Sequence, residues 1–364
     1  MVSVDRAQVM AYRLAALGLA ARSRKRPADL PVLDLGVQEY TSGSHQVALA
    51  ARTSAGLDDD RLIMVWAARG APHMHRRADL DALVKQLWPV SDVDATSRIQ
   101  SAQIPEGMKL GIAAFTATAS AFREVVTASM PRGEASTEVS KRVPKELTYD
   151  CRGCGSRHIA GNVWQHSGLA GGVQVEARGR DATLGPIPDA PPQPSENEGI
   201  GELIKTYLRF LGPASPADVA KYLGGSATEM KRVWPDGLAE VKVDGRKRWL
   251  PESEVDALTE AKSPSGVRLV PGMDPLLQAR DRDLLVPDRA RQKEVWRIIG
   301  NPGALLVDDE IAGVWRAKMA GRKRVDLTVT AFDSLPAPRR KQIEAEAAEV
   351  ARGRGVPEAT VAFE

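Results

Sequence analysis

Cys151-Arg152-Gly153-Cys154, followed by His158 and His166, gathers four soft or borderline ligands in a short span, the donor types that a zinc ion takes. A convincing zinc site pairs two separated knuckles, and here His166 falls on a predicted helix eight residues beyond His158. Cys151, Cys154, His158 and His166 are therefore weak candidates, and no metal is assigned. Small thiols packing a strand end or turn are the competing explanation. A redox role would need a βαβ context that the flanking sequence lacks. The second chemically capable group is basic. Arg178 and Arg180 sit at one predicted hairpin tip and Arg246, Lys247 and Arg248 at another, where cationic groups neutralise phosphates. Arg22, Arg24, Lys25 and Arg26, and Arg322 to Arg324, lie on predicted loops. Each cluster alone reads as solvated surface; recurrence at hairpin tips points to a polyanion.

The chain as a whole carries no such bias. Its 364 residues hold 50 Lys plus Arg against 47 Asp plus Glu, a net charge of +3, so attraction to nucleic acid must be local. At 43% hydrophobic and 27% charged it has globular composition, long enough for two or three cores, which excludes disorder, collagen and coiled coil as overall descriptions. Two neighbouring cysteines do not make a secreted disulfide framework and point to a reducing compartment. The stretch from Val9 to Ala21 is broken by Arg13, unlike a signal peptide, and no run reaches the roughly 18 apolar residues of a membrane span. The expected location is the cytoplasm, associated with the nucleoid, with no membrane partner.

The elements that would position these groups follow a repeated order. In 200–262, Leu203, Ile204, Tyr207, Leu208 and Leu211 recur at helical spacing until Gly212-Pro213, and Ser215 with Pro216 opens a second helix. Ser226 and Glu229 form a capping-box spacing for a third, and Leu238 to Leu250 alternates around Asp244-Gly245 as a hairpin. Three helices and a hairpin make a winged helix. Region 111–187 repeats it, with helices at Phe122 to Ser129, Ser136 to Val143 and Arg157 to Ser167 and a wing from Val173 to Ile187. A looser third copy occupies 1–110, in which His75, Arg76 and Arg77 form a phosphate-touching tip. Residues 188–199 read as a proline-rich linker, and 263–364 as a small antiparallel α/β unit whose last helix, about Ala337 to Arg352, has a proline-rich start and surface charges throughout. The fold class is α+β, tandem winged-helix domains with a C-terminal antiparallel α/β unit.

Three further stretches carry a resemblance. Leu35-Gly36-Val37-Gln38-Glu39-Tyr40 with Leu49-Ala50-Ala51-Arg52, then Trp66 to His73, and finally Pro271-Gly272-Met273-Asp274-Pro275-Leu276-Leu277 with Asp281-Arg282 are similar to a bacterial tandem winged-helix DNA-binding family. That family includes the DNA glycosylases AlkZ and YcaQ. The similarity also runs through the Cys151 to His158 stretch and covers most of the chain.

The resemblance implies a DNA repair hydrolase in which a Gln-x-Gln or Gln-x-Asp motif orients the water that attacks the sugar of an alkylated nucleotide. Its positions here are Gln38, Glu39 and Tyr40, so the first acceptor is kept and the second is replaced by Tyr40. Breaking an N-glycosidic bond builds positive charge on the sugar, which a carbonyl or carboxylate stabilises and a phenol does poorly. Glu39 has the right group one residue out of phase. Two opposed readings follow: Gln38 and Glu39 together hold the water, or the catalytic pair is lost and the pocket only binds DNA. Gln38 capping a loop is the bland alternative. Arg69 and His73 follow a strand and could face the same cleft, with His73 donating to a phosphate or packing as an ordinary half-buried residue. The expected partner is double-stranded DNA, alkylated or crosslinked, with no cofactor. A regulator or scaffold without chemistry, and winged helices that contact protein, are the other classes.

Overall fold

The periodicities above become helices and strands in a computed structural model, which describes residues 2–176 and 182–364. The expected tip residues Arg178 and Arg180 lie outside the described residues. The chain forms two units, each built from discontinuous segments: residues 1–60, 205–215 and 236–364 form one, and residues 61–204 and 216–235 the other.

In the first unit, Asp5 caps the Arg6–Ala16 helix by accepting from the Gln8 N–H. The expected hairpin is present as Leu238–Val243 and Arg246–Pro251, turning through Asp244 and Gly245, both at positive φ. That pairing of left-handed residues matches the twist of a two-residue turn. Sequence reading missed its third strand: Val2–Val4 lies parallel to Leu238–Val243. Val4, Val9, Tyr12, Val241, Leu250 and Leu258 share its core.

The C-terminal part carries five strands in the order Val267–Val270, Gly303–Val307, Glu310–Ala320, Arg324–Ala331 and Glu358–Phe363. The expectation of an antiparallel sheet needs correction, because Glu358–Phe363 returns after the Ala337–Gly353 helix and pairs parallel with Arg324–Ala331. A long helix after a strand is the crossover a parallel partner requires. The inner face of that helix buries Ile343, Ala347, Val350 and Ala351, and buried Glu346 pairs with Arg22 and Arg268.

Two buried ion pairs hold this unit and absorb much of the motif set. Arg52 makes a bidentate pair with Asp274 at 2.8 and 2.9 Å while donating to the Leu17 and Ala48 carbonyls. Arg13 does the same with Asp281 at 3.0 and 2.6 Å and donates to the Gly212 carbonyl. All five Arg52 donors are not needed for this; the planar fork matches the carboxylate, which is why Lys would not substitute.

The second unit packs Trp66, Phe122 and Trp164 at its centre, with the Phe122 and Trp164 rings 4.3 Å apart. Its helices Ile112–Val125, Arg132–Ser140 and Gly161–Ser167 follow the expected order, but residues 156–159 are a strand, not the start of the third helix. Thr148–Cys151 and Ser156–Ile159 form an inserted hairpin. The short strands Val173–Val175 and Thr183–Pro186 pair in the expected wing region. The proline-rich stretch does not hang free. Arg123 donates to the Pro191 carbonyl, and Asn197 donates to the carbonyls of Gln86 and Trp88, so the stretch is strapped to the unit's surface. Among the described residues no helix is long and apolar enough to cross a membrane.

The order of elements predicted over 200–251 is present: helices Ile200–Leu211, Pro216–Leu223 and Ala227–Arg232, then the hairpin. Ser226 accepts from the Glu229 N–H at 3.4 Å, as its spacing predicts. The second and third of these helices belong to the second unit and the hairpin to the first.

Candidate active site

Gln38 ends the two-residue strand Val37–Gln38 and is 8% exposed. The chain then turns into the Ser44–Ala50 helix, and the turn is tied by two side chains. Ser44 Oγ accepts from the Tyr40 and Thr41 N–H groups at 2.8 and 3.2 Å. The Glu39 carboxylate accepts from the Gly43 N–H at 2.6 Å, from the His45 N–H at 3.0 Å and from His45 Nδ1 at 2.7 Å. Gly43 has φ 76, a conformation that suits glycine, and Arg354 donates to the neighbouring Ser42 carbonyl.

Burial alone would raise the Glu39 carboxyl, but the His45 side chain and the N–H groups of His45 and Gly43 outweigh it and hold the group below the usual range. Glu39 is thus an anion fixed at a helix N-terminus. Both its oxygens are spent on the protein, which disfavours the reading in which Glu39 shares a water with Gln38. Tyr40 is also engaged: its hydroxyl accepts the Asn301 N–H at 3.0 Å. At the other end of the helix, Arg22 and Arg352 donate to the Ala50 carbonyl at 2.9 and 3.3 Å, and Arg352 also reaches Thr53 and Ala55. Cations at a helix C-terminus complement its dipole. The helix after Gln38 is therefore clamped at both ends.

Sequence reading missed His45, Asn301, Arg352 and Arg354. His45 had a signal, since an acidic residue just before a helix start is a capping arrangement. The other three come from more than two hundred residues away and had none.

The expected DNA-contacting residues separate into distinct environments. His73 is fully buried, with Nδ1 2.9 Å from the Ala71 carbonyl, and His75 is 3% exposed with its ring 6.1 Å from that of His73. Both belong to the interior of the Pro72–Arg76 strand, so neither is the phosphate donor or tip residue expected of it. Arg69 is half-buried at φ 59, donates to the Tyr222 carbonyl and lies 4.9 Å from the centre of the Tyr222 ring. Left-handed backbone at a non-glycine residue costs energy, and the fixed guanidinium offsets part of it. Gly70 beside it is held by contact, because a side chain there would meet Gln165 at 2.8 Å. Arg76 pairs with Asp79, and Arg77 is an exposed residue of the same stretch. At the wing tip Arg246 and Lys247 are exposed and Arg248 half-buried; Lys247 pairs with Glu240 across the ribbon. Several loop cations are similarly neutralised, Arg22 by Glu346, Arg26 by Asp59 and Arg324 by Asp326.

Of the four weak metal candidates, Cys151, Cys154 and His158 come together and His166 does not. His166 sits on the Gly161–Ser167 helix beside Phe115, where burial, then the charges of Arg98 and Arg69, push its pKa down to about 3. It is neutral at physiological pH. Cys151 is half-buried at its strand end and Cys154 is exposed, so the two are not the small buried thiols of the competing explanation.

A buried-pair scaffold, a clamped Gln-bearing turn and a basic hairpin are the features to compare with known proteins. Residues 32–352 match the family described as DNA glycosylase AlkZ-like, and the chain belongs to that family. Among individual proteins it is similar to the interstrand DNA cross-link repair glycosylase of Streptomyces sahachiroi, at 30% identity over 173 residues. That match covers 45% of this chain and 45% of the relative, so the chain spans about half the length of the curated protein it matches. The solved structure of the Streptomyces sahachiroi DNA glycosylase AlkZ shares the fold over 100% of both chains, with a TM-score of 0.73 and 21% identity. The family expected from the motifs is the family found.

Proposed function

We propose that the protein is a repair glycosylase that removes alkylated bases from double-stranded DNA, including crosslinked sites, with Gln38 as the residue that orients the attacking water. The observation that carries this reading is the turn around Gln38: Glu39, Ser44, Arg354 and Tyr40 all spend their polar atoms fixing it, which is how an orienting amide is kept in one place. Support for the substrate class comes from the cross-link repair relative.

An alkylated purine carries positive charge, so it departs with the electron pair of the N-glycosidic bond and becomes neutral. Charge then develops on the sugar, water adds at C1′ and a water proton passes to solvent. Gln38 need only accept a hydrogen bond from that water, and its contribution is made in the transition state. Glu39 and Tyr40 are positioning residues in this reading. Arg246 and Arg248 at the hairpin tip would supply backbone affinity.

One observation favours the second reading, a DNA-binding scaffold without chemistry: the Tyr40 hydroxyl, where the family motif has an amide or carboxylate acceptor, is committed to Asn301. Incubating the chain with a duplex that carries a cationic alkylated base separates the two. The glycosylase reading expects base release above the spontaneous rate. Saturable binding without release would establish the scaffold.

A further inference from the structure

We propose that Cys151, Cys154 and His158 form a binding site for a borderline-soft divalent metal, Zn²⁺ by preference, at the tip of the Thr148–Ile159 hairpin. Their ligand atoms all lie within 4.8 Å of one another. A tetrahedral zinc with about 2.3 Å bonds to sulfur and about 2.0–2.1 Å to nitrogen needs donors roughly 3.5–3.8 Å apart, so closing on the ion requires about 1 Å of side-chain adjustment.

The hairpin explains why the three meet. Cys151 pairs with Ser156 and Tyr149 with His158, and alternation along each strand puts Tyr149, Cys151, Ser156 and His158 on one face of the ribbon. The connecting turn is closed by the Gly155 N–H donating to the Cys151 carbonyl at 2.9 Å, with Gly155 at φ +65, and it swings Cys154 back toward that face.

The surroundings suit a thiolate and a neutral imidazole. The backbone N–H groups of Cys154 and Gly153 face the Cys151 sulfur, donors that suit a thiolate. Ser156 Oγ lies 3.1 Å from Cys154 Sγ. His158 Nδ1 is 2.8 Å from the Ile159 carbonyl, which fixes the tautomer with Nδ1–H donating and leaves the Nε2 lone pair for a ligand. A ring N–H held by a backbone carbonyl is the usual support of a metal-bound histidine. The Tyr149 ring, 4.9 Å from that of His158 and nearly edge-on, braces its orientation.

Three protein ligands leave one coordination position for water. Cys154 is exposed, so the ion exchanges with solvent and binds less tightly than in a closed four-ligand site. Binding expels the two thiol protons to solvent, and affinity rises with pH. The ion would staple the hairpin, which is otherwise two four-residue strands, too short for independent stability.

The test uses the full chain, reduced and stripped of metal, titrated with Co²⁺ and then with Zn²⁺ in competition against a chromophoric chelator. One equivalent of Co²⁺ should give a thiolate-to-metal charge-transfer band that Zn²⁺ abolishes. Cys154→Ser and His158→Ala should each weaken Zn²⁺ at least tenfold, while circular dichroism shows both variants folded. Exposed Cys154 makes its Ser variant the one least able to disturb packing. Absence of the band, affinity unchanged in Cys154→Ser, or ready formation of a Cys151–Cys154 disulfide with equimolar Zn²⁺ present would each overturn the proposal.

Discussion

Replacing Glu39 separates a residue that shapes the site from one that reacts in it. The carboxylate accepts from two backbone N–H groups at the start of the Ser44–Ala50 helix and from the His45 ring, and its side chain is 10% exposed, so little water is at hand to replace it. Loss of a helix cap costs about 1 kcal/mol. Loss of a hydrogen bond to a charged group costs about 1.5–3 kcal/mol. Glu39→Ala should therefore lower the unfolding free energy by about 2–4 kcal/mol, and Glu39→Gln, which keeps one acceptor, by about half as much. The pH dependence has a definite sign. Because the folded carboxyl sits below its ordinary value, the stability it supplies is fully present above about pH 4.3, the unfolded value, and is lost as pH falls through the lower folded value. Urea melts of wild type and Glu39→Gln should differ by about the size given near neutral pH and converge in acid. A Glu39→Ala protein that melts like wild type but releases no base would refute the reasoning and make Glu39 a chemical participant.

Other substitutions probe the scaffold and the DNA surface. Asp274→Asn leaves the Arg52 guanidinium without its counter-charge at 1% exposure, so it should cost about 3–5 kcal/mol in denaturant melts; a change under about 1 kcal/mol would mean the site relaxes or hydrates. His166 stays neutral in the fold down to about pH 3 while the unfolded chain protonates below about pH 6.5, so stability should fall steadily between those values. From pH 7 to pH 5 that is at most about 2 kcal/mol, and His166→Gln should remove it; an identical acid slope in the variant would exclude His166 as the cause. Joint replacement of Arg246, Lys247 and Arg248 should lower the salt slope of DNA binding by about two, not three, because Glu240 already neutralises Lys247. An unchanged slope would remove the hairpin from the interface.

Local signals carried most of the secondary structure. The Ser226 cap and the Asp244-Gly245 turn follow from short-range chemistry that the sequence displays. What escaped was non-local. Val2–Val4 joins a hairpin more than two hundred residues away, and Glu358–Phe363 pairs in parallel across a helix, neither of which local periodicity encodes. The site shows the same division. Gln38 was legible through its motif, but the reason Glu39 is unavailable lies in how the next turn folds onto it. His73 and His75 misled because alternation in a strand does not say which face is buried when both flanks are apolar. The motif residues Arg52, Asp274 and Asp281 resolve as buried ion pairs, so part of what marked the family holds the fold together.

The central claim is that Gln38 orients the attacking water while other groups hold the DNA. Single-turnover release of a cationic alkylated base by wild type and Gln38→Ala, with duplex affinity measured on the same preparations, tests it most directly. The account predicts a base-release rate down at least about a hundredfold, the size of a lost transition-state hydrogen bond, with duplex affinity within about threefold of wild type. Equal losses in rate and affinity, or a variant that releases base as fast as wild type, would contradict it.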